Sequence, residues 1–322
     1  MEKVIMDVDP GIDDSLAILL ALNSPELSIE GITVVSGNVE VEQATINALR
    51  AVEMSKQKAK VYKGMALPLV RPYQDATDTH GKDGLGETFL PPPKQRPENE
   101  HAVDFILRKV NEEPNAITLL ALGPLTNIAK ALQKDPATMQ KVRRIVLMGG
   151  SARYHGNCSP VAEYNFWADP HAAKIVFASG IEITMVGLDV THRIVLTPHL
   201  REVVHQLETP LSQYVYDITQ FYVDFHWRQE KTIGCVINDP LAVAVLVQPE
   251  LVTTQPAFVE IETEGVAVGQ SVVDFAGHHN QGNWNTHVCV DVDVKAFFEL
   301  FLYRLFPEHR DLLQIGIEKH HW

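Results

Sequence analysis

Three cysteines in 322 residues, Cys158, Cys235 and Cys289, are too few and too widely spaced to form a disulfide framework. No CxxC pair points to structural zinc or thiol redox chemistry. No apolar run reaches the ~18 residues that a membrane span needs. Met1-Glu2-Lys3 leads straight into a segment carrying Asp7 and Asp9, so no basic-then-apolar leader is expected. Basic charge is also short: 27 Lys+Arg against 41 Asp+Glu gives a formal net charge of −14. Nucleic acid and anionic membrane surfaces would be repelled at long range, so neither is expected as a partner. Together these absences fit a cytoplasmic protein, and the surplus of carboxylates leaves room for a divalent cation.

What remains is ordinary globular material, 45% hydrophobic and 21% charged, and the chain is long enough to bury a large core without staples. Short apolar runs alternate with helical patterns. Strands are expected at 4–8, 29–35, 117–122, 145–148 and 183–188, with helical spacing at 13–22, 41–54, 125–132 and 171–177. That alternation predicts βαβ units, hence an α/β, Rossmann-like fold with a mostly parallel central sheet flanked by helices. In such sheets ligands bind outside the carboxyl ends of the strands. Residues 67–97, rich in Pro, Gly, Asp and Thr, form an unusually long connection of the kind that often serves as a lid. Residues 196–237 look largely helical, and their aromatics (Tyr214, Tyr216, Phe221, Tyr222, Phe225, Trp227) are expected in the core. Strands with antiparallel character are expected over 257–292, then a closing helix near 294–306. With no internal repeat or low-complexity stretch, one domain over 1–322 is expected.

The most informative segment is Met6-Asp7-Val8-Asp9-Pro10-Gly11-Ile12-Asp13-Asp14. Residues two apart on a strand share a face, so Asp7 and Asp9 point the same way at the strand's C-terminal end. Asp13 and Asp14 open a helix, where the macrodipole favours negative charge. A single Asp there would be an ordinary cap or turn residue. Four carboxylates this close repel and raise one another's pKa. A hard, oxygen-preferring cation such as Ca²⁺ or Mg²⁺ relieves that repulsion.

Asp-Val-Asp-Pro-Gly-Ile-Asp-Asp resembles the N-terminal signature of the inosine-uridine preferring nucleoside hydrolase family. The resemblance continues in order through Val-Val-Ser-Gly-Asn ending at Asn38, Thr-His-Gly around His80, Leu-Gly-Pro-Leu-Thr-Asn at 122–127 and Val-Leu-Met-Gly-Gly at 146–150. Gly-Asn-Cys-Ser-Pro-Val-Ala-Glu-Tyr-Asn at 156–165 and Asn-Asp-Pro at 238–240 complete it. The resemblance implies a ribonucleoside substrate and a Ca²⁺ ion held by Asp9, Asp14, the Leu122 carbonyl and Asp239. On sequence grounds alone Asp239 would be a helix N-cap before Pro240. Asp9 is implied as the general base toward water, with Asp7 orienting the site from behind. By the same resemblance Asp13 and Asn165 address the 2′- and 3′-hydroxyls and Asn38 also reaches the ribose. Asn157 and Glu163 hold the 5′-hydroxyl, and Met148 packs on the sugar. A homodimer or homotetramer is implied as well.

One position departs from the family pattern. Many members carry His just before the late metal-binding Asp, assigned to protonating the leaving base, and here that residue is Asn238. An amide hydrogen-bonds a base but has no useful acidity near neutrality. His80 and His226 are the candidates for the missing proton donor, His80 being the better supported by resemblance. His278, His279, His320 and His321 are expected to be ordinary polar positions. Two other functions fit parts of the sequence. A haloacid-dehalogenase-like phosphatase would use Asp7 as a nucleophile and leaves Asp13 and Asp14 unexplained. A non-catalytic nucleoside or ribose sensor would accommodate Asn238. Phosphorolysis is disfavoured because the carboxylates would repel phosphate.

Overall fold

The computed structural model describes residues 1–320; His321 lies outside the described residues. The strands are β1 (Glu2–Val8), β2 (Leu27–Val34), β3 (Val61–Lys63), β4 (Ile117–Ala121), β5 (Arg144–Met148), β6 (Ile183–Val186), β7 (Val195–Leu196), β8 (Cys235–Val236), β9 (Val252–Ile261), β10 (Ser271–Asp274) and β11 (Thr286–Val292). Nine of them form one sheet in the order β10-β9-β11-β6-β5-β4-β1-β2-β3. From β3 to β11 every neighbouring pair is parallel, and β9 and β10 add an antiparallel edge. The expected α/β architecture is therefore present. One expectation for the C-terminal strands is modified: β11 is antiparallel to β9 but joins the main sheet in parallel to β6.

Both faces of the sheet are covered, and β1 shows how. Val4, Met6 and Val8 enter one apolar core with Leu16 and Leu20 from the helix Ile12–Leu22, Leu241 from Asp239–Val247 and Phe301 from Val294–Leu305. Ile5 points the other way, into a second core with Ile106 from the helix Ala102–Glu112, Ile128 from Thr126–Lys134 and Val176 from Pro170–Phe177. Burial of a Leu- or Ile-sized side chain contributes roughly 1.5–3 kcal/mol, so the two cores fix the sheet firmly between helical layers. The helices Ile12–Leu22 and Asp239–Val247 are buried almost all round. That explains why their sequences are apolar rather than amphipathic.

Strand order reverses between β1 and β4, whose C-terminal ends are Val8 and Ala121. Such a switch point opens a crevice for ligand. The long segment 67–97 is irregular apart from the short helix Thr77–His80, and it is tied down at many points. Tyr73 Oη donates to the Gly37 carbonyl (3.2 Å), Tyr164 Oη to the Gln74 carbonyl (3.0 Å), and Asn47 Nδ2 to the Asp83 carbonyl (2.9 Å). Residues 196–237 contain the helices Pro198–His205 and Pro210–Glu230. Of the aromatics expected in the core, Tyr214 and Tyr222 are buried, while Trp227 is 52% exposed with Lys231 over its ring. The apolar spacing of that helix is satisfied by Tyr214, Ile218, Tyr222 and His226, which leaves position 227 on the solvent side. His278 and His279 are exposed, as expected. No helix of the described residues is long and apolar enough to cross a membrane.

Candidate active site

The site begins with the register of β1. Asp7 lies opposite Thr33 on β2 and Ala121 on β4. One carboxylate oxygen of Asp7 accepts from Thr33 Oγ1 (2.6 Å) and Asn127 Nδ2 (2.7 Å). Burial raises its pKa to about 7, against the lowering effect of these two bonds. Asp7 thus sits beneath the site with Oδ1 held by Thr33 and Asn127 and Oδ2 buried without a partner among the described residues, and it is not among the residues lining the cavity described below.

Two residues on, Asp9 occupies a slot that only glycine neighbours permit. A Cβ at Gly37 would lie 1.9 Å from Asp9 Oδ2, and one at Gly123 would lie 2.4 Å from Oδ1. Asp9 Oδ2 accepts from the Asn38 backbone N–H (2.9 Å). Oδ1 is buried with no hydrogen-bond partner among the described residues. Asn38 also donates through Nδ2 to the Asp9 carbonyl (3.2 Å) and to Asp14 Oδ2 (3.1 Å), so it clamps the two acidic residues together. Asp14 additionally accepts from the backbone N–H groups of Asp9 and Gly11, both at 3.1 Å. These bonds turn the Pro10–Gly11 bend into a fixed mount for carboxylates.

The late segment arrives from across the crevice. β8 pairs with β7, and Ile237 N donates to the Ile194 carbonyl (3.0 Å), which delivers Asn238 and Asp239 opposite the first helix. Oxygens of Asp13, Asp14 and Asp239 all lie within 4.8 Å of one another and are buried. Asn238, not Asp239, is the cap residue of the helix Asp239–Val247, and it makes no side-chain cap bond. The N-cap role that sequence alone would give Asp239 is therefore not what its carboxyl does. Burial and then mutual repulsion push the carboxyls upward. Asp14 is raised to about 7 by burial and by Asp13, and Asp9 well above the usual range by burial and by Asp14. Asp239 is raised well above it by burial, then by Asp13, Asp14 and Asp9. The partnerless Asp9 oxygen and the three converging carboxylates, with no Lys or Arg among the described residues that line the cavity above them, make an all-oxygen donor set that fits a hard divalent ion.

Above the carboxylates opens a cavity of about 770 Å³. Its lining includes Asp13, Asn38, His80, Leu122, Met148, Asn157, Glu163, Asn165, Asn238 and Asp239, drawn from seven separate stretches of the sequence motifs. Asn165 Nδ2 donates to the Leu122 carbonyl (2.8 Å) and to the Met148 carbonyl (3.1 Å), linking the ends of β4 and β5. Glu163 accepts from Asn165 N (2.8 Å), Gly150 N (2.9 Å) and Phe166 N (3.3 Å). Burial outweighs those three bonds and raises it to about 7. Asn157 Oδ1 caps this loop by accepting from Tyr164 N (3.0 Å).

The far wall comes from the helix Pro210–Glu230. Tyr222 Oη donates to Asp13 Oδ2 (3.2 Å), and Asn238 Nδ2 donates to the same oxygen (3.1 Å). Asn238 Oδ1 is buried without a partner among the described residues. His80 and His226 also line this wall, and burial lowers the pKa of each. The candidate site residues therefore converge on one crevice, with Asp13 and Asp239 in its lining and Asp7, Asp9 and Asp14 beneath it. Four residues were not foreseen there. Tyr222 was expected in the core, Thr33 and Asn127 hold Asp7, and Gly123 makes room for Asp9. Only Gly123 and Asn127 carried a signal, as members of the 122–127 motif.

The slot around Asp9 yields a direct test. Gly123→Ala is expected to cost about 1–3 kcal/mol of stability through overpacking. It should also slow turnover by at least ~10-fold, because a displaced carboxylate loses its alignment. Thermal melting and initial rates on one preparation would check both. A wild-type rate would show that the Asp9 carboxylate is not where bond breaking is assisted.

Comparison with known proteins agrees with this arrangement. The family model described as inosine-uridine preferring nucleoside hydrolase matches residues 4–299. Uridine nucleosidase 1 of Arabidopsis thaliana is 40% identical over 275 residues, 85% of this chain and 82% of that protein. The pyrimidine-specific ribonucleoside hydrolase RihA of Klebsiella pneumoniae is 39% identical over 94% of this chain and 97% of its own length. Among solved structures, a purine-preferring ribonucleoside hydrolase from Gardnerella vaginalis superposes with a TM-score of 0.90 at 37% identity, covering 98% of this chain and all of that one. With its switch-point carboxylates, its polar crevice and a match over nearly its whole length, this chain belongs to the inosine-uridine preferring nucleoside hydrolase family and is an N-glycosyl hydrolase.

Proposed function

We propose that the protein is a Ca²⁺-dependent ribonucleoside hydrolase, a single domain that releases ribose and a free base in cytoplasmic nucleoside salvage as a homodimer or homotetramer. The observation that carries the metal-dependent part is the buried meeting of Asp13, Asp14 and Asp239 beside the partnerless Asp9 oxygen. Asp9, Asp14, Asp239 and the Leu122 carbonyl would hold the ion. A bound divalent cation lowers the pKa of an adjacent water toward neutrality. Asp9 then takes the proton as that water attacks C1′, where the transition state has oxocarbenium character.

The remaining residues act on the substrate. Asp13 and Asn165 address the 2′- and 3′-hydroxyls, with Asn38 beside them. Asn157 and Glu163 reach the 5′-hydroxyl, and Met148 packs against the sugar. His80 and Asn238 face the base. Asp7 orients the site from below through β1. A pocket built around hydroxyls strongly rejects a sugar that lacks one, because its buried polar groups are left unpaired. Relatives named for purine and for pyrimidine substrates both resemble the chain, so base preference is left to measurement.

The test is base release from inosine, uridine, cytidine, adenosine and p-nitrophenyl riboside, before and after chelation, with Ca²⁺ or Mg²⁺ re-added. Chelation is expected to slow natural nucleosides by ~100-fold or more, and Ca²⁺ to restore them. Rates indifferent to chelation would remove the metal from the reading. Asn238 favours one other function, a nucleoside sensor, and ribose binding without any base release would establish it.

A further inference from the structure

Cleavage of the C1′–N bond leaves an electron pair on the departing base, and a natural nucleobase departs quickly only when a proton reaches it. Asn238 has no proton to give. Two buried imidazoles share the wall of the cavity, and their hydrogen bonds put them in different states. His80 Nδ1 accepts the backbone N–H of Ile12 (3.1 Å), at the open N-terminal turn of the helix Ile12–Leu22. That lone pair is occupied, so the ring proton of His80 resides on Nε2. A second proton would have to displace the Ile12 N–H. His80 is therefore a neutral hydrogen-bond donor that cannot readily recharge. A Cβ at Gly11 would lie 2.6 Å from His80 Nδ1, so the close approach that sets this state depends on Gly11.

His226 has the complementary arrangement. Its Nδ1 lies 2.8 Å from the Tyr222 carbonyl, an acceptor only, so Nδ1 carries the hydrogen. Nε2 makes no hydrogen bond to any described residue, and the ring lines the cavity. Nε2 can therefore gain and lose a proton while the bond that fixes the ring stays intact. Burial opposes the charged ring most and holds it below the usual imidazole range, with His192 and His80 adding to it, while the Tyr222 carbonyl, Glu230 on the same helix and Asp13 on the helix Ile12–Leu22 favour the charge. The rings of Tyr222 and Phe225 hold it in place at centroid distances of 4.4 and 5.4 Å.

We propose that His226 Nε2 is the proton donor to the departing base, in place of the histidine that position 238 lacks. This rests on the hydrolase reading of the same cavity. The C1′–N electron pair stays with the base, the proton from His226 Nε2 joins a base nitrogen, and the water oxygen bonds C1′. The proton taken by Asp9 returns through solvent to His226, so the sum is nucleoside plus water giving ribose plus base.

The test uses the full-length Ca²⁺-loaded protein with uridine, inosine and p-nitrophenyl riboside, whose leaving group needs no proton. kcat/KM would be measured from pH 5 to 9 for the wild type, His226→Gln and His226→Ala, with melting curves to show that each is folded. Natural nucleosides should slow by about 100-fold or more, general-acid assistance being typically 10²–10⁴-fold. The nitrophenyl substrate should stay within roughly threefold. The wild-type rate on natural nucleosides should fall on the alkaline side as Nε2 deprotonates, and this limb should vanish in the variants. Added imidazole should partly restore His226→Ala. Equal slowing of both substrate types, or an unchanged alkaline limb, would overturn the assignment while leaving the hydrolase reading standing. A wild type that releases no base from any natural nucleoside would overturn both. Should His226→Ala fail to fold, His226→Gln still decides, because it keeps the size and a donor but cannot titrate.

Discussion

Asp9→Ala is expected to lower kcat by about 10³-fold or more and to weaken Ca²⁺ binding in the same variant. Both effects follow from one side chain with two separately used oxygens. Oδ2 is held by the Asn38 N–H, and Oδ1 is buried without a partner. Removal leaves a buried N–H unpaired and takes away the residue proposed both as ion ligand and as base for water. Asp9→Asn separates the two losses, since the amide oxygen still coordinates but takes no proton. It should retain more Ca²⁺ affinity than Asp9→Ala while being almost as slow. Calorimetric Ca²⁺ titration and single-turnover base release would report the two effects independently. Near-normal turnover in Asp9→Ala would mean that another group activates the water. Asp7→Asn is a contrasting control for position, because Asp7 accepts from Thr33 and Asn127 and is not raised by the neighbouring carboxylates as Asp9 is. Its effect should appear as a smaller drop in rate.

The parts of the site that were legible in the sequence are those carried by one continuous strand-turn-helix. Asp7, Asp13 and Asp14 could be placed from the period of a strand and the start of a helix, and the structure has them there, while Asp9, expected on the strand, lies one residue past its end at Val8. The parallel sheet was legible for the same reason, since a strand buried on both faces, such as Ile145–Met148, reads as an unbroken apolar run. What could not be read depends on partners far along the chain. Nothing around Tyr222 announces that its hydroxyl ends 3.2 Å from Asp13, because the helix period gives a buried face but not what that face meets. Thr33 and Asn127 reach Asp7 only through the β2-β1-β4 register. The orientation of β11 was similarly hidden, because a strand's own sequence is compatible with a parallel neighbour on one side and an antiparallel one on the other. Histidine states were the least accessible of all. Which nitrogen of His80 or His226 carries the proton is decided by one backbone N–H and one backbone carbonyl.

The buried carboxyls also predict how the metal-free protein responds to pH. Asp7 and Asp14 rise from 3.8 to about 7 and Glu163 from 4.5 to about 7, and Asp9 and Asp239 are raised well above the usual carboxylate range, all mainly by burial. Between pH ~4 and ~7 the native state therefore holds carboxyl protons that the unfolded chain has released, so the contribution of these five groups falls as pH rises. His80 and His226, held below the usual imidazole range mainly by burial, oppose it in part up to pH ~6.5 and leave the net direction to the carboxyls. The groups share the effect because they repel one another, so their protonation is a property of the cluster. Surface carboxylates such as Asp135, Asp274 and Asp291 are shifted downward by their hydrogen bonds. Their contribution is lost only below the unfolded value near 4, outside this window. The chelated protein should thus melt at least ~5 °C lower at pH 8 than at pH 5.5. On the proposed reading Ca²⁺ would replace the protons as the compensating charge, so its stabilising effect should be larger at pH 8, where no protons compete, and its binding at pH 6 should release protons into the buffer. Melting curves at the two pH values with and without chelator, and Ca²⁺ titrations in buffers of different ionisation enthalpy, would show both. A chelated protein that grows more stable from pH 5.5 to 8, with no proton release on Ca²⁺ binding, would mean that the cluster is already charge-compensated without an ion.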